Sequence, residues 1–175
     1  MKGNIIFIGG IHGVGKGTLC KNVASELNIV HLTASEVLKW SDFSEDPSNK
    51  RVKDIHSTQD RLIENLNRIV QPNQTYLLDG HFCLQNADGI IEKVPDNIFI
   101  GINPIKIILV TEDPEEIAIR LFQRDGKEYD VQLLKRMQGI EKEHALHVSK
   151  ILGQEFHEIH SNSIDAFKEI VKVVV

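Results

Sequence analysis

Short apolar runs alternate with longer segments of helical periodicity along the chain. The apolar runs cover residues 5–8, 29–32, 75–78, 105–110 and 155–159. Between them, apolar residues recur at intervals of three and four, as they do on one face of an α-helix. Buried strands separated by helices are typical of a parallel sheet that is covered on both faces. The pattern therefore predicts a three-layer α/β/α fold with five parallel strands.

Capping and turn residues suggest where the helices begin and end. Thr33 or Ser35 is a candidate N-cap for a short helix after the second strand. Asp113 and Pro114 predict the start of another helix. Further helices are expected over about 51–70 and 131–152 and at the C-terminus. Residues 81–103, which include Pro95, are predicted to form an irregular connection.

The length and composition of the chain limit its organisation. A chain of 175 residues with 41% hydrophobic residues can enclose one core but is too short for two ordinary domains. We therefore expect one domain over 1–175, with a helical insertion at about 33–70 and a short lid at about 123–130. The net charge of −5 argues against a nucleic-acid partner.

The cysteines and the N-terminal sequence predict a cytoplasmic protein with no membrane partner. Cys20 and Cys83 are the only cysteines, and they are too few for a disulfide framework. The apolar run at 5–8 is too short for a signal peptide or a membrane span.

A glycine-rich segment joins the first predicted strand to the first predicted helix. It reads Gly10, Ile11, His12, Gly13, Val14, Gly15, Lys16, Gly17 and Thr18. In this context, backbone N–H groups and a helix N-terminus bind phosphates, while the lysine reaches the β and γ oxygens. The general motif has Ser or Thr directly after the lysine, whereas Gly17 follows Lys16 here. The segment predicts ATP and Mg²⁺ as cofactors, with Thr18 as a metal ligand.

The order of glycines in this loop resembles that of the adenylate kinase family. Segments 33–39, 76–81 and 120–124 are similar to family segments in the same order, and segments 101–104 and 113–117 resemble the small archaeal-type adenylate kinases. The resemblance implies transfer of the γ-phosphoryl group of ATP to AMP or a similar nucleoside monophosphate. It also implies that the insertion at 33–70 binds this monophosphate.

The resemblance assigns roles to residues on the ATP side. Asp79 would be the magnesium-side carboxylate. Arg120 and Arg124 lie four residues apart, which places them on one helix face; Arg120 would lie against the adenine and Arg124 would reach the transferred phosphoryl group. The catalytic residues are then Lys16, Asp79, Arg120 and Arg124, and the nucleotide is held by Gly10, His12, Gly13, Val14, Gly15, Lys16, Gly17, Thr18 and Arg120.

The acceptor side departs from the family pattern. Thr33 belongs to the acceptor segment, and Lys39 takes the place of an arginine that holds the acceptor phosphate. Phe82 and Cys83 replace the usual Pro-Arg, which removes a second arginine. The remaining acceptor-site candidates are Arg51, Gln59, His81 and Arg136.

Two other functions stay open at this point. One is a small P-loop kinase for a different acceptor, which would explain the missing arginines. The other is an ATPase switch that acts on a protein partner. The archaeal-type relatives suggest a homo-oligomer. The eight histidines are interpreted as surface or hydrogen-bonded residues, because no cysteine or carboxylate cluster lies near them in the sequence.

Overall fold

The computed structural model describes residues 3–44, 55–86 and 88–172, without the side chains of 40–44 and 55–60. The strands are β1 (Asn4–Gly9), β2 (Val30–Thr33), β3 (Thr75–Asp79), β4 (Cys83–Gln85), β5 (Ile91–Lys93), β6 (Lys106–Thr111) and β7 (Phe156–His160). The helices are α1 (Lys16–Leu27), α2 (Ala34–Ser44), α3 (Ile55–Ile69), α4 (Asp96–Ile102), α5 (Pro114–Asp125), α6 (Val131–Leu152) and α7 (Ile164–Lys172).

The five long strands form one parallel sheet in the order β2-β3-β1-β6-β7. The predicted fold class is confirmed, and each strand lies within one residue of its predicted bounds. β1 is central, with β3 and β6 as its neighbours. The loops that follow β1, β3 and β6 therefore open at one edge of the sheet, where ligands bind in folds of this kind.

Alternate residues of the central strands pack against opposite layers. Ile6 and Ile8 of β1 belong to a core with α1 and α7. Ile5 and Phe7 belong to a second core with α3 and α4. Because successive strand side chains point to opposite faces, a continuous apolar run is the pattern expected for a strand covered on both sides.

The prediction of an irregular connection over 81–103 is wrong. The segment contains the antiparallel hairpin β4–β5 and the helix α4. Pro95 is the N-cap of α4, and Asn103 ends it in the left-handed region. The hairpin strands have three residues each, too few for a periodicity to be recognised.

The capping predictions are confirmed, and α5 extends into the segment that was predicted to form a lid. Thr33 accepts the Glu36 N–H at 3.2 Å at the start of α2, and Asp113 accepts the Glu115 N–H at 2.8 Å at the start of α5. The predicted lid at 123–130 overlaps α5, so the connection itself spans 126–130. Of the described helices, none has the length and apolar character needed to cross a bilayer.

Replacing Asp113 by Ala removes the only side-chain cap of α5 and should lower the free energy of unfolding by about 1 kcal/mol. Asp113→Asn keeps an acceptor oxygen and should cost less than half of that. Urea unfolding followed by circular dichroism measures both variants. Equal stability of wild type and Asp113→Ala would contradict the role of this cap.

Candidate functional site

The phosphate loop links the end of β1 to the start of α1. Gly10, Gly13 and Gly15 have φ angles of 143°, 80° and 104°, which favour glycine. A Cβ on Gly13 would lie 2.7 Å from Leu121, and a Cβ on Gly15 would lie 3.3 Å from Ser161. Gly15 also leaves α1 without a side-chain N-cap, so N–H groups of the first turn can bind phosphate oxygens. The loop therefore fits a phosphate chain.

Lys16 occupies the centre of the site. Its side chain is 7% exposed, and Nζ donates to the carbonyls of Gly10 at 2.7 Å and Ile11 at 3.2 Å. Asp79 Oδ1 lies 3.8 Å from Nζ. Burial lowers the pKa of Lys16, while the Asp79 carboxylate opposes this by favouring the ammonium form. The structure thus brings together two residues that the sequence predicted for catalysis.

Arg120 lies against the phosphate loop and is held by Glu112, the residue after β6. Its Nη1 donates to Val14 O and Ser161 Oγ, both at 3.3 Å, and its Nη2 donates to Glu112 Oε2 at 2.6 Å. Burial by itself raises the pKa of Glu112, but hydrogen bonds from Ser161, Asp113 and Arg120 outweigh it and lower the pKa. A charged Glu112 therefore fixes Arg120 against the phosphate loop.

Arg124 is paired with its chain neighbour Asp125. It is exposed, and its Nε and Nη2 donate to Asp125 at 2.6 and 2.7 Å. Asp125 also accepts the Tyr129 hydroxyl at 2.5 Å, so the arginine is held at the edge of the connection 126–130. Arg136 and Thr18 are exposed on α6 and α1. The structure therefore places Arg120 at the phosphate loop and Arg124 beside the connection 126–130.

A cavity of about 710 Å³ opens beside Lys16 on the side of β3. Its lining includes Asp79, Thr33 and Ser35 together with apolar residues from α3, α4 and the hairpin. Among the described residues that line the cavity, two are lysines, Lys16 and Lys93, and none is an arginine. The cavity is continuous with the phosphate loop and is the candidate acceptor site.

The predicted acceptor residues have different positions relative to this cavity. Thr33 lines it, although its hydroxyl also donates to Glu36 at 2.8 Å. Lys39 is exposed on α2 and does not line the cavity. Arg51 and the side chain of Gln59 lie outside the described residues.

Two histidines form the boundary between the phosphate loop and the cavity. The ring centroids of His12 and His81 are 4.2 Å apart, and His81 Nδ1 donates to Gly10 O at 2.7 Å. Burial, followed by the positive charge of Lys16, lowers the pKa of His81 to about 4. Burial, followed by His81, lowers the pKa of His12 to about 4. Both rings are therefore neutral at pH 7.

A buried carboxyl group on α6 supports the turn that follows Asp79. Glu141 is 1% exposed, and its Oε2 accepts the N–H groups of Phe82 at 2.5 Å and Cys83 at 3.1 Å. Its Oε1 lies 3.6 Å from His81 Nδ1 and has no hydrogen-bond partner among the described residues. Burial raises the pKa of Glu141 to about 7.

Glu112 and Glu141 were not predicted as site residues, although each has a recognisable signal in the sequence. Glu141 continues an apolar stripe on α6 that includes Met137 and Ala145, and an acidic residue on such a stripe indicates a buried polar contact. Glu112 follows an apolar strand at the edge where the phosphate loop lies. Both positions could be recognised once the sheet order was known.

Comparisons with known proteins identify the family of the chain. The AAA domain family matches residues 9–138. The adenylate kinase of Prochlorococcus marinus strain MIT 9301 is 27% identical over 138 residues, which cover 75% of this chain and 74% of that protein. The adenylate kinase of strain MIT 9515 is 28% identical over 150 residues, which cover 82% and 80%. The predicted resemblance to adenylate kinases is confirmed.

The fold also has a counterpart among solved structures. The crystal structure of a gluconokinase from Sinorhizobium meliloti 1021 aligns with a TM-score of 0.51 at 9% sequence identity, covering 95% of this chain and 87% of that one. At this identity the likeness concerns the fold alone.

Glu141→Gln should change the pH dependence of stability. The pKa of Glu141 is raised from 4.5 to about 7 in the folded state, so the folded protein holds a proton that the unfolded chain releases between these values. Wild type should therefore lose roughly 1 to 3 kcal/mol relative to Glu141→Gln as the pH rises from 4.5 through 7. His81, Lys16 and His144 face this carboxyl group and are unchanged in the variant.

Urea unfolding at pH 5 and pH 8 measures the effect. Glu143→Gln, at an exposed position on the same helix, is the control. This variant should lose as much stability as wild type when the pH rises. Parallel pH profiles for wild type and Glu141→Gln would contradict the buried, proton-binding role of Glu141.

Proposed function

The chain belongs to the AAA domain family and is a P-loop phosphotransferase, and we propose that it transfers the γ-phosphoryl group of ATP to AMP or a similar nucleoside monophosphate. The position of Lys16 carries the proposal. Its ammonium lies within the phosphate loop and also lines the acceptor cavity. ATP bound in the loop and an acceptor bound in the cavity would therefore both contact the buried ammonium group of Lys16.

ATP would occupy the loop from Gly10 to Thr18, with Arg120 on the nucleotide side. The hydroxyl of Thr18 and the carboxylate of Asp79 are oxygen donors of the type that Mg²⁺ prefers, so the donor set fits this ion. When bound, magnesium neutralises charge on the β and γ phosphates.

The chain itself would contribute position and positive charge. Lys16 would exchange its bonds to the carbonyls of Gly10 and Ile11 for bonds to phosphate oxygens. Arg124 would leave Asp125 and reach the transferred group as residues 126–130 close over the site. A guanidinium suits charge that is spread over phosphoryl oxygens. A monophosphate acceptor is already anionic, so the transfer needs no general base.

The acceptor would bind in the cavity beside Asp79. Thr33 and Ser35 offer hydroxyl groups there, and neutral His81 offers a ring nitrogen. Lys39, Arg51, Gln59 and Arg136 stay predicted ligands of the acceptor phosphate. A cytoplasmic location and a homo-oligomer also stay predictions.

One observation favours a second candidate, a P-loop kinase for an acceptor without a phosphate group. Among the described residues that line the cavity, the lysine and arginine side chains are those of Lys16 and Lys93. Lys93 is already paired with Glu143, at 2.7 Å. His12 and His81 add no charge at neutral pH. A hydroxyl acceptor would need a nearby proton acceptor, and Asp79 lines the cavity.

The first test is ADP formation from ATP and Mg²⁺ in the presence of individual nucleoside monophosphates. AMP or one other monophosphate should stimulate wild type at least tenfold, and Lys16→Ala should reduce the stimulated rate by about a hundredfold or more. A slow rate that is indifferent to every monophosphate would overturn the proposed acceptor and leave the hydroxyl-acceptor kinase or an ATPase switch.

A second test concerns Arg124. Arg124→Ala should lower kcat by about a hundredfold because it removes a cation that acts on the transferred group. Arg68→Ala, which removes an exposed arginine paired with Glu64 on α3, is the control and should change kcat less than threefold. Steady-state kinetics with the stimulating monophosphate measures both. An unchanged kcat in Arg124→Ala would exclude the proposed lid movement.

A further inference from the structure

Three side chains of different chemistry converge behind the phosphate loop, between α1 and the sheet. Cys20 belongs to α1, His31 to β2 and Asp79 to the end of β3. One sulfur, one ring nitrogen and one carboxylate oxygen of these residues lie within 4.8 Å of one another. They come from three separate segments, so the fold and not local sequence brings them together.

The three groups are enclosed, and one of them lacks a partner. Cys20 is fully buried, and the side chains of His31 and Asp79 are 11% and 14% exposed. His31 Nε2 is buried without a hydrogen-bond partner among the described residues. Asp79 Oδ2 lies 3.8 Å from this nitrogen, which is beyond hydrogen-bond distance. A buried nitrogen without a hydrogen-bond partner is costly, so a ligand that bonds to it would stabilise the site.

The spacing suits a small tetrahedral ion. Zinc bonds of 2.0 to 2.3 Å separate neighbouring ligand atoms by roughly 3.3 to 3.8 Å in tetrahedral geometry. For a nitrogen and an oxygen ligand the expected separation is roughly 3.3 to 3.5 Å, and the 3.8 Å between His31 Nε2 and Asp79 Oδ2 is within about 0.5 Å of it. The thiol of Cys20 must approach by no more than about 1 to 1.5 Å for the whole set to fit.

The chemistry of the ligands selects the type of metal. A thiolate and an imidazole are preferred ligands of Zn²⁺ and related ions, whereas Mg²⁺ prefers oxygen ligands. A carboxylate is a common third ligand of zinc. A water molecule could take a fourth position, as it does in zinc sites with three protein ligands.

We propose that Cys20, His31 and Asp79 form a binding site for Zn²⁺ or a similar transition-metal ion. The site does not depend on the identity of the phosphoryl acceptor, because two of its three ligands have no part in the proposed transfer. Asp79 belongs to both sites: its Oδ1 faces Lys16 at 3.8 Å, and its Oδ2 faces His31 at 3.8 Å. The readout is therefore metal binding and not ADP formation.

The test is a titration of tag-free, chelator-treated and reduced protein with Co²⁺, followed by absorption spectroscopy. Wild type should bind one equivalent and show a thiolate-to-cobalt charge-transfer band in the near ultraviolet. Cys20→Ser should lose the band. Cys83→Ser, which changes the other buried cysteine, should keep it. Circular dichroism confirms that the variants are folded.

Further variants separate this site from a surface one. His31→Gln should weaken Co²⁺ binding at least tenfold. Removal of a metal ligand should reduce the affinity at least as much as removal of a residue that only supports a ligand. His147→Gln, at the exposed pair of His147 and Asp96, should leave the cobalt affinity within twofold of wild type. Zn²⁺ should displace bound Co²⁺, and a large excess of Mg²⁺ should not.

Several results would overturn the proposal. These are the absence of a charge-transfer band at millimolar Co²⁺, a band that survives in Cys20→Ser or disappears in Cys83→Ser, and an unchanged affinity in His31→Gln. If Cys20→Ser does not fold, the His31→Gln affinity and the Cys83→Ser spectrum decide.

Discussion

Burial of the Lys16 ammonium is the constraint on which the rest of the site depends. A buried cation needs compensating negative charge and acceptors, and here two loop carbonyls and the Asp79 carboxylate supply them. Asp79 can do so only because β3 pairs directly with β1, in a register that places Ile8 beside Asp79. The order of the strands thus brings the Asp79 carboxylate to the Lys16 ammonium, and the cavity opens beside both residues.

Two acidic residues outside the glycine-rich motif, Glu112 and Glu141, hold neighbouring parts of the site in place. Glu112 connects the end of β6 to Arg120 beside the phosphate loop. Glu141 connects α6 to the turn after β3, which borders the cavity. Glu112 is held in its charged form by its donors, whereas burial favours the neutral form of Glu141. The phosphate-loop side is therefore organised by an ion pair and the cavity side by a weakly acidic buried group.

The sequence predicted those parts of the molecule whose determinants are local. The five strands are continuous apolar runs, and the phosphate loop is defined by the spacing of its own glycines and Lys16. Glu141 and its partner Phe82 are 59 residues apart, so their contact depends on the packing of α6 against the sheet. The position of Arg124 also escaped prediction, since its hydrogen bond to the adjacent Asp125 competes with any contact across the site. Spacing of four residues placed the two arginines on one helix, but it did not determine their partners.

Transfer of label from γ-labelled ATP in a single turnover tests the central claim most directly, because it identifies the molecule that receives the phosphoryl group. With enzyme in excess over ATP, and with Mg²⁺ and a nucleoside monophosphate present, we predict that the label appears on the nucleoside diphosphate. Lys16→Ala should abolish that transfer. Label that appears only as inorganic phosphate, at the same rate with and without each monophosphate, would contradict phosphoryl transfer to a nucleotide.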